Sequence, residues 1–171
     1  MGFKQRFIEN YGENYILDKC REKGCFFKDI RKEDYIILDG DNLEKRNGRS
    51  SVDCIIVGLK TNLDNKHNII LCELTSGSKD LKKVRQKFED GGSLAVSIMG
   101  DMGEEINNIS CLLLGKIKDN GQHLLSKNLM NPISIRGFER NDIFIRKEDC
   151  GYSVNNFKVF SWFIQQFITL R

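Results

Sequence analysis

The sequence lacks any apolar run that approaches the roughly 20 residues needed for a helix to cross a bilayer. It also lacks a hydrophobic secretory segment ahead of its first charged residues, since the chain opens with a mixed stretch from Met1 to Arg6. These absences remove membrane-spanning functions from consideration. They predict a soluble, cytoplasmic protein with reduced thiols and no membrane partner.

Histidine is scarce, and the cysteines do not form two close pairs. His67 and His123 stand alone in loop-like sequence, and the pair Cys20 and Cys25 has no second pair beside it. A structural zinc site needs four nitrogen or sulfur ligands at tight spacing, so the sequence argues against one. Free cysteine inside an apolar run behaves as a small buried hydrophobe, and this describes Cys54, Cys72 and Cys111. Only Cys150 remains to gather with Cys20 and Cys25.

An excess of either charge is missing as well. The 27 Lys and Arg residues against 24 Asp and Glu residues leave a net charge of +3, which permits a polyanionic partner without requiring one. A length of 171 residues with 40% apolar content suffices for one domain with a real core. We predict a single domain over 1–171, with its core at about 12–115 and with C-terminal strands and a helix at 132–171 packed on it.

Apolar periodicity predicts an alternation of helices and strands. A helix over 12–24, which 3–11 can extend backwards, precedes a strand over 35–38, a turn over 39–42, and two strands on either side of a polar hairpin loop over 61–68. A helix over 76–90 that ends at Gly91-Gly92 follows, then 94–99 as strand or continued helix, a strand over 109–114, two half-exposed antiparallel strands over 132–136 and 143–146, and a helix over 154–170. This order predicts a layered α/β domain with a mixed sheet.

The two strands beside the hairpin loop each carry an acid. Asp53 lies at the head of the run Val52–Val57, and Glu73 interrupts the run Ile69–Thr75. A buried carboxylate is costly unless it is paired or bound to a metal. If the strands lie side by side, the two carboxylates come together, and Mg2+ is a natural occupant of such a place.

This order of elements and acids resembles the PD-(D/E)XK nuclease superfamily, which has the restriction-endonuclease-like fold. The resemblance covers about 12–115. The sequence is more specifically similar to Holliday-junction-resolvase-like members, in which an early helix contributes a Glu, a strand contributes an Asp, and the next strand contributes a Glu-x-Lys. The matching positions are Gly12-Glu13, Leu17, Gly24, Asp53 and Glu73-Leu74-Thr75. The sequence departs at one place, because Thr75 stands where the family has lysine.

The resemblance implies a three-layer α/β core, a central mixed sheet flanked by helices, and a metal-dependent nuclease that hydrolyses phosphodiester bonds in DNA. Asp53, Glu73 and the backbone carbonyl of Leu74 would hold Mg2+ or Mn2+, and Glu13 would be the early-helix acid. Such an ion lowers the pKa of a bound water and grips nonbridging phosphate oxygens. A homodimer is also implied by nucleases that cut both strands as pairs, and the aromatic face from Phe157 to Phe167 offers one surface for it.

Threonine at position 75 can only hydrogen-bond, so another residue must supply the missing cation, or activity is lost. The following helix offers five candidates: Lys79, Lys82, Lys83, Arg85 and Lys87. At about 100° per residue, the helical phase favours Lys82, with Lys79 second because it lies in the first turn. Gln86 corresponds loosely to a glutamine on this helix in related nucleases, although its phase predicts exposure.

Structural interpretations of the same residues stay open. Asp53 could cap a strand or pair with Arg49, Glu73 could form a structural ion pair, and Glu13 would favour a helix start in any protein. The lysine run could be a solvated helix face. The alternative function is a catalytically inactive nuclease-fold protein that serves as a nucleic-acid-binding or protein-interaction module, since a fold does not imply a function.

Overall fold

A computed structural model describes residues 2–22, 24–45, 49–59, 66–75, 80–115, 131–140 and 142–153. The helices within these ranges are α1 (Phe3–Tyr11), a 3-10 helix (Glu13–Tyr15), α2 (Gly40–Lys45) and α3 (Leu81–Asp101). The strands are β1 (Ile16–Leu17), β2 (Arg21–Glu22), β3 (Cys25–Phe26), β4 (Tyr35–Asp39), β5 (Cys54–Gly58), β6 (Lys66–Thr75), β7 (Glu105–Gly115) and β8 (Ile145–Glu148). None of the helices described is long and apolar enough to cross a membrane.

Six of these strands form one mixed sheet in the order β1-β4-β5-β6-β7-β8, and β2 and β3 form a separate hairpin. The pairs β4–β5 and β5–β6 are antiparallel, whereas β6–β7 and β7–β8 are parallel. The predicted α/β class with a mixed sheet is therefore confirmed. The two acid-bearing segments are neighbours, as the sequence predicted, and Cys54 of β5 lies opposite Cys72 of β6.

The two faces of the central strands pack against different partners. Along β6, Ile69 and Leu71 belong to the apolar cluster that includes α1 and α3, whereas Ile70 and Cys72 belong to the cluster that includes the β2–β3 hairpin. Side chains of a strand alternate between faces, and a strand buried on both faces reads as a continuous apolar run. Glu73 shares the face of Ile69 and Leu71 and therefore points towards α3.

Helix α3 does not end where the sequence predicted. The expected stop at Gly91-Gly92 is wrong, because the helix continues to Asp101 and takes in 94–99 as helix rather than strand. The glycines serve close packing instead, since a Cβ at Gly92 would overlap the Ile135 side chain. The helix begins after Asp80, whose carboxylate accepts the Lys82 N–H at 3.0 Å. The first residues of the predicted helix, 76–79, lie outside the described residues.

The predicted helix over 12–24 is also wrong. The helix in this region is α1, which ends before Gly12, where a φ of +100° takes the backbone out of the helical region. The chain then forms short strands, and Gly24, with a φ of +82°, lies in the turn of the β2–β3 hairpin rather than at a helix end. The expected turn over 39–42 likewise contains the start of α2.

Two disulfide bonds overturn the prediction that all six thiols are reduced. Cys20 bonds to Cys54, and Cys25 bonds to Cys150, which fastens the hairpin both to β5 and to the turn after β8. Cys72 and Cys111 are buried free thiols, as predicted. Cys54 was expected to be one of these, but it lies within reach of the folded-back hairpin, a contact that its apolar sequence context does not reveal.

The C-terminal predictions are confirmed only in part. Ile133 and Ile143 form an isolated antiparallel bridge, and Ile145 begins β8, which is parallel to β7. The predicted helix over 154–170 and the aromatic face it carries lie outside the described residues.

Candidate active site

The carboxylates of Asp53 and Glu73 meet at one end of the sheet. Because Cys54 lies opposite Cys72, Asp53, which directly precedes β5, lies beside Glu73 of β6. Glu73 faces α3, and the charges of both acids act on Lys87 of that helix. The Asp53 carboxylate accepts the Leu74 N–H at 2.6 Å, which ties it to β6. Both acids also act on Cys72, since burial raises the pKa of this thiol and the charges of Asp53 and Glu73 raise it further.

A lysine from α3 neutralises the buried acid. The Lys87 Nζ lies 3.0 Å from one Glu73 carboxylate oxygen and 3.2 Å from the other. Glu73 is 0% exposed, whereas the Lys87 side chain is 21% exposed and reaches the solvent edge. Burial by itself would lower the pKa of Lys87, but Glu73, with smaller effects of Asp53 and Asp41, raises the pKa above its ordinary value. Lys87 is therefore a permanent cation near neutral pH.

Asp41 is a third acid that sequence reasoning missed. It lies in the first turn of α2, and one of its oxygens is 3.9 Å from the Lys87 Nζ. The signal that could have found it was the pattern Asp39-Gly40-Asp41-Asn42, which we read as a turn. Asp39 instead accepts the Asn42 N–H at 3.0 Å at the start of this helix. Three carboxylates thus surround one ammonium group.

Two glycines let α2 and α3 approach the segment that leads into Asp53. A Cβ at Gly40 would overlap the carbonyl oxygen of Val52, and a Cβ at Gly91 would come within 2.8 Å of the Ser51 hydroxyl. The backbone at 51–52 is therefore held between the two helices. This close approach fixes where Asp53 lies relative to Asp41 and Lys87.

Substituting Gly40 with alanine is expected to lower the free energy of unfolding by about 1–3 kcal/mol, because the added methyl must displace the Val52 backbone. Urea-induced unfolding measures this change. The matched control is Gly100→Ala in α3, where no atom lies within 4 Å of the added Cβ. That control should be neutral or slightly stabilising, since alanine favours a helix over glycine by about 1 kcal/mol. Equal effects of both substitutions would contradict the packing role of Gly40.

The remaining predicted residues lie at varied distances from this cluster. Thr75 is buried on the same strand face as Glu73. Lys82 is exposed near the start of α3, and Gln86 is exposed and donates to Asp90 at 3.0 Å. Glu13 is exposed in the 3-10 helix. Lys79 lies outside the described residues. Of the candidates that the structure does describe, Lys87 rather than Lys82 contacts Glu73.

A pocket of about 600 Å3 opens beside the cluster. Its acidic lining consists of Asp39, Asp41 and Asp53 together with Asp18 and Glu22, and its basic lining consists of Lys19, Arg21 and Lys45. Asp41 of α2 and Asp53 before β5 line it together with Arg21 of the hairpin. Such a mixed lining suits a ligand that carries anionic groups and also binds a cation.

Comparison with known proteins adds no family to this description. No family model, curated protein or solved structure matches the chain. The chemistry of the site therefore has to be argued from its own residues.

The carboxylate and carbonyl oxygens at this end of the sheet are the type of ligand that a hard divalent cation binds. Mg2+ in proteins is often held by one or two carboxylates and keeps several waters, and the oxygens of Asp53, Glu73 and the Leu74 carbonyl are ligands of this kind. The Leu74 N–H donates to Asp53. Because the N–H and C=O of a strand residue face the same neighbouring strand, the Leu74 carbonyl faces the same side as Asp53. Among the described residues, no group of three or more His, Cys, Asp and Glu side chains is arranged as a complete metal site.

Proposed function

We propose that this chain is a metal-dependent nuclease that hydrolyses phosphodiester bonds in DNA and has a three-layer restriction-endonuclease-like core. The observation that supports the proposal is that Asp53 and Glu73 lie beside each other on neighbouring segments of the sheet, with the Lys87 ammonium 3.0 Å from one Glu73 oxygen. Two acids on neighbouring strands and a lysine beside them are the groups that the resemblance to this superfamily implies. DNA as the partner, and a homodimer, belong to the same proposal.

Asp53, Glu73 and the Leu74 carbonyl would hold Mg2+ or Mn2+, which supplies a water of lowered pKa and neutralises charge on the phosphate. Asp53 is positioned for this by the hydrogen bond that it accepts from the Leu74 N–H, and it lines the pocket. The Lys87 ammonium donates to both oxygens of Glu73 and so fixes the orientation of this carboxylate. Both carboxylates are therefore set in place by the strands before any substrate arrives.

Lys87 takes the role that Thr75 cannot fill. A permanent cation beside the two acids can stabilise the charge that develops on a phosphoryl group during attack, and preorganised charges of this kind supply large parts of catalysis. Its position on the helix after the acid-bearing strand explains how a threonine at position 75 is tolerated. The basic residues of the pocket, Lys19, Arg21 and Lys45, would hold the flanking phosphates.

One observation favours the inactive alternative. Both oxygens of Glu73 are already bound by Lys87, so the pair can be read as a self-sufficient ion pair within a binding module. In that case, divalent cations would not bind, and the pocket would hold nucleic acid or a protein partner without turnover.

A cleavage assay with Mg2+ or Mn2+ separates the two functions. Duplex DNA, single strands and branched junctions serve as substrates, and cleavage by the parent protein should fall by at least about 100-fold in Asp53→Asn and Glu73→Gln. The control is Glu105→Gln, an exposed acid on β7 that pairs with Lys66 away from the pocket. It should cleave as the parent does.

A thermal shift gives the second readout. A divalent cation that binds only the folded protein raises its melting temperature, and the rise should disappear in Asp53→Asn and Glu73→Gln but not in Glu105→Gln. If neither metal supports cleavage of any substrate and neither raises the melting temperature, the nuclease is excluded and the binding module is favoured.

A further inference from the structure

A second concavity adjoins the candidate active site. It has a volume of about 330 Å3 and shares Asp18, Lys19 and Arg21 with the first pocket. Because the two pockets have these lining residues in common, a chain-like ligand in the first pocket can continue into the second. The second pocket is also lined by Phe26, Phe27 and Lys28.

The lining of this second pocket combines an exposed aromatic ring with cations. Phe26 is 40% exposed. In the described ranges, Phe144 is the one other large apolar side chain with a comparable exposure, 51%. Arg21 lies directly across the hairpin from Phe26, and the Lys28 Nζ lies 5.5 Å from the centre of the Phe26 ring. An aromatic ring flanked by cations is the combination that binds unpaired nucleotides, because every base has a face that can stack.

The hairpin presents this ring on a rigid support. Disulfides join Cys20, directly before β2, to Cys54, and Cys25 of β3 to Cys150. The Gly151 N–H donates to the Phe26 carbonyl at 2.8 Å, which holds the backbone beside the ring. A preorganised surface loses less conformational entropy when a ligand binds. An exposed phenylalanine held in this way is suited to binding rather than to packing.

The three cations that line this pocket, Lys19, Arg21 and Lys28, exceed its two acids, Asp18 and Asp29, by one charge. Asp18 is bound by Lys32 at 2.5 Å, and this contact lowers the pKa of the Asp18 carboxyl. Asp29 accepts a hydrogen bond from the Ser153 hydroxyl. The cations beside the ring, Lys19, Arg21 and Lys28, are all exposed.

We propose that the β2–β3 hairpin binds an unpaired nucleic acid strand, with one base stacked on Phe26 and neighbouring phosphates held by Lys19, Arg21 and Lys28. The inference deepens the proposed function and rests on it for the class of substrate. It specifies a strand that is unpaired next to the cleavage site, because the base faces within a duplex are already covered by their neighbours. Lys19 and Arg21, which line both pockets, would connect the stacked base to the acids.

Fluorescence anisotropy with labelled oligonucleotides tests the surface without turnover, in EDTA and at low salt. An unpaired oligothymidine, an unpaired oligouridine and a matched duplex are compared. Phe26→Ala should weaken binding of the unpaired strands by about 5- to 150-fold, while the duplex changes little. Phe144→Ala, which removes the other exposed ring, is the matched control and should bind as the parent does. Arg21→Ala should reduce the dependence of affinity on salt.

Phe26→Trp keeps an aromatic ring at this position, so it distinguishes loss of the ring from misfolding of the variant. It should restore binding, and its added fluorescence, measured against the parent whose one tryptophan is Trp162, should be quenched by the bound strand. Unchanged affinity in Phe26→Ala, or equal weakening in Phe144→Ala, would overturn the proposal. Binding that depends on Phe26 without cleavage in any metal would keep the hairpin surface and exclude the nuclease. Metal-dependent cleavage that is unchanged in Phe26→Ala, together with unchanged binding, would exclude the hairpin surface and support the nuclease.

Discussion

Replacing Lys87 with methionine is expected to reduce the proposed cleavage by about 100- to 1,000-fold and to lower the free energy of unfolding by about 3 kcal/mol. The substitution removes the ammonium that lies 3.0 Å from a fully buried carboxylate, Glu73. Breaking a buried ion pair from one side leaves the remaining charge poorly compensated, which is why the effect on stability is large. Single-turnover cleavage and urea-induced unfolding measure the two effects.

The matched control is Lys82→Met, the same chemical change on the same helix at an exposed position. Surface substitutions of this kind change stability by about 0.5 kcal/mol or less, and cleavage should be unaffected. Equal loss of cleavage in both variants would contradict the assignment of the cation to Lys87. The double variant Glu73→Gln/Lys87→Met should recover much of the stability but none of the cleavage, which separates the two roles.

The pH dependence of this ion pair has a definite sign. Neighbouring acids raise the pKa of Lys87 above its ordinary value of 10.5 in spite of its burial. A group whose pKa is raised on folding contributes stability that is complete below its unfolded pKa and is lost as the pH rises through its folded pKa. The stability difference between the parent and Lys87→Met should therefore be constant near neutral pH and shrink only above pH 10.5.

The acid pair could be predicted from the sequence because it depends on local rules. Strand alternation and a hairpin between two apolar runs were enough to place Asp53 beside Glu73. The lysine could not be placed in the same way. Its choice depends on where α3 begins and on the angle at which the helix crosses β6, and the packing of Gly91 against Ser51 sets part of that geometry. The helical phase alone favoured Lys82, whereas the ammonium that reaches Glu73 comes from Lys87, five residues later.

The hairpin and its cysteines show a second limit of sequence reasoning. Strands of two residues each are too short to show an alternating apolar pattern in 16–26. The apolar spacing over 12–24 instead predicts a helix. The pairing of Cys25 with Cys150 spans 125 residues, and such a contact leaves no local trace. Asp41 was missed for a related reason, since a six-residue helix that follows a strand directly reads as a turn.

The long disulfide leads to the second large effect. Replacing both Cys25 and Cys150 with serine is expected to lower the free energy of unfolding by about 2–5 kcal/mol, because the bond closes a long loop and restricts the unfolded chain. The shorter loop between Cys20 and Cys54, with a separation of 34 residues, should contribute less on the same argument. Urea-induced unfolding of the two paired variants measures the difference.

A thiol count under denaturing conditions provides the control, since Cys72 and Cys111 should be the only two free thiols of the six in protein purified without reductant. Disulfides persist in oxidising compartments and are rare in a reducing cytosol, so the same count bears on the predicted cytoplasmic location. Six free thiols, or unchanged stability in the Cys25/Cys150 variant, would contradict the bond.

Because the bond also anchors the strand that carries Phe26, its loss should weaken oligothymidine binding while leaving the metal-dependent rise in melting temperature intact. That separation follows from geometry: Asp53 and Glu73 are held by the sheet, whereas Phe26 is held by the hairpin.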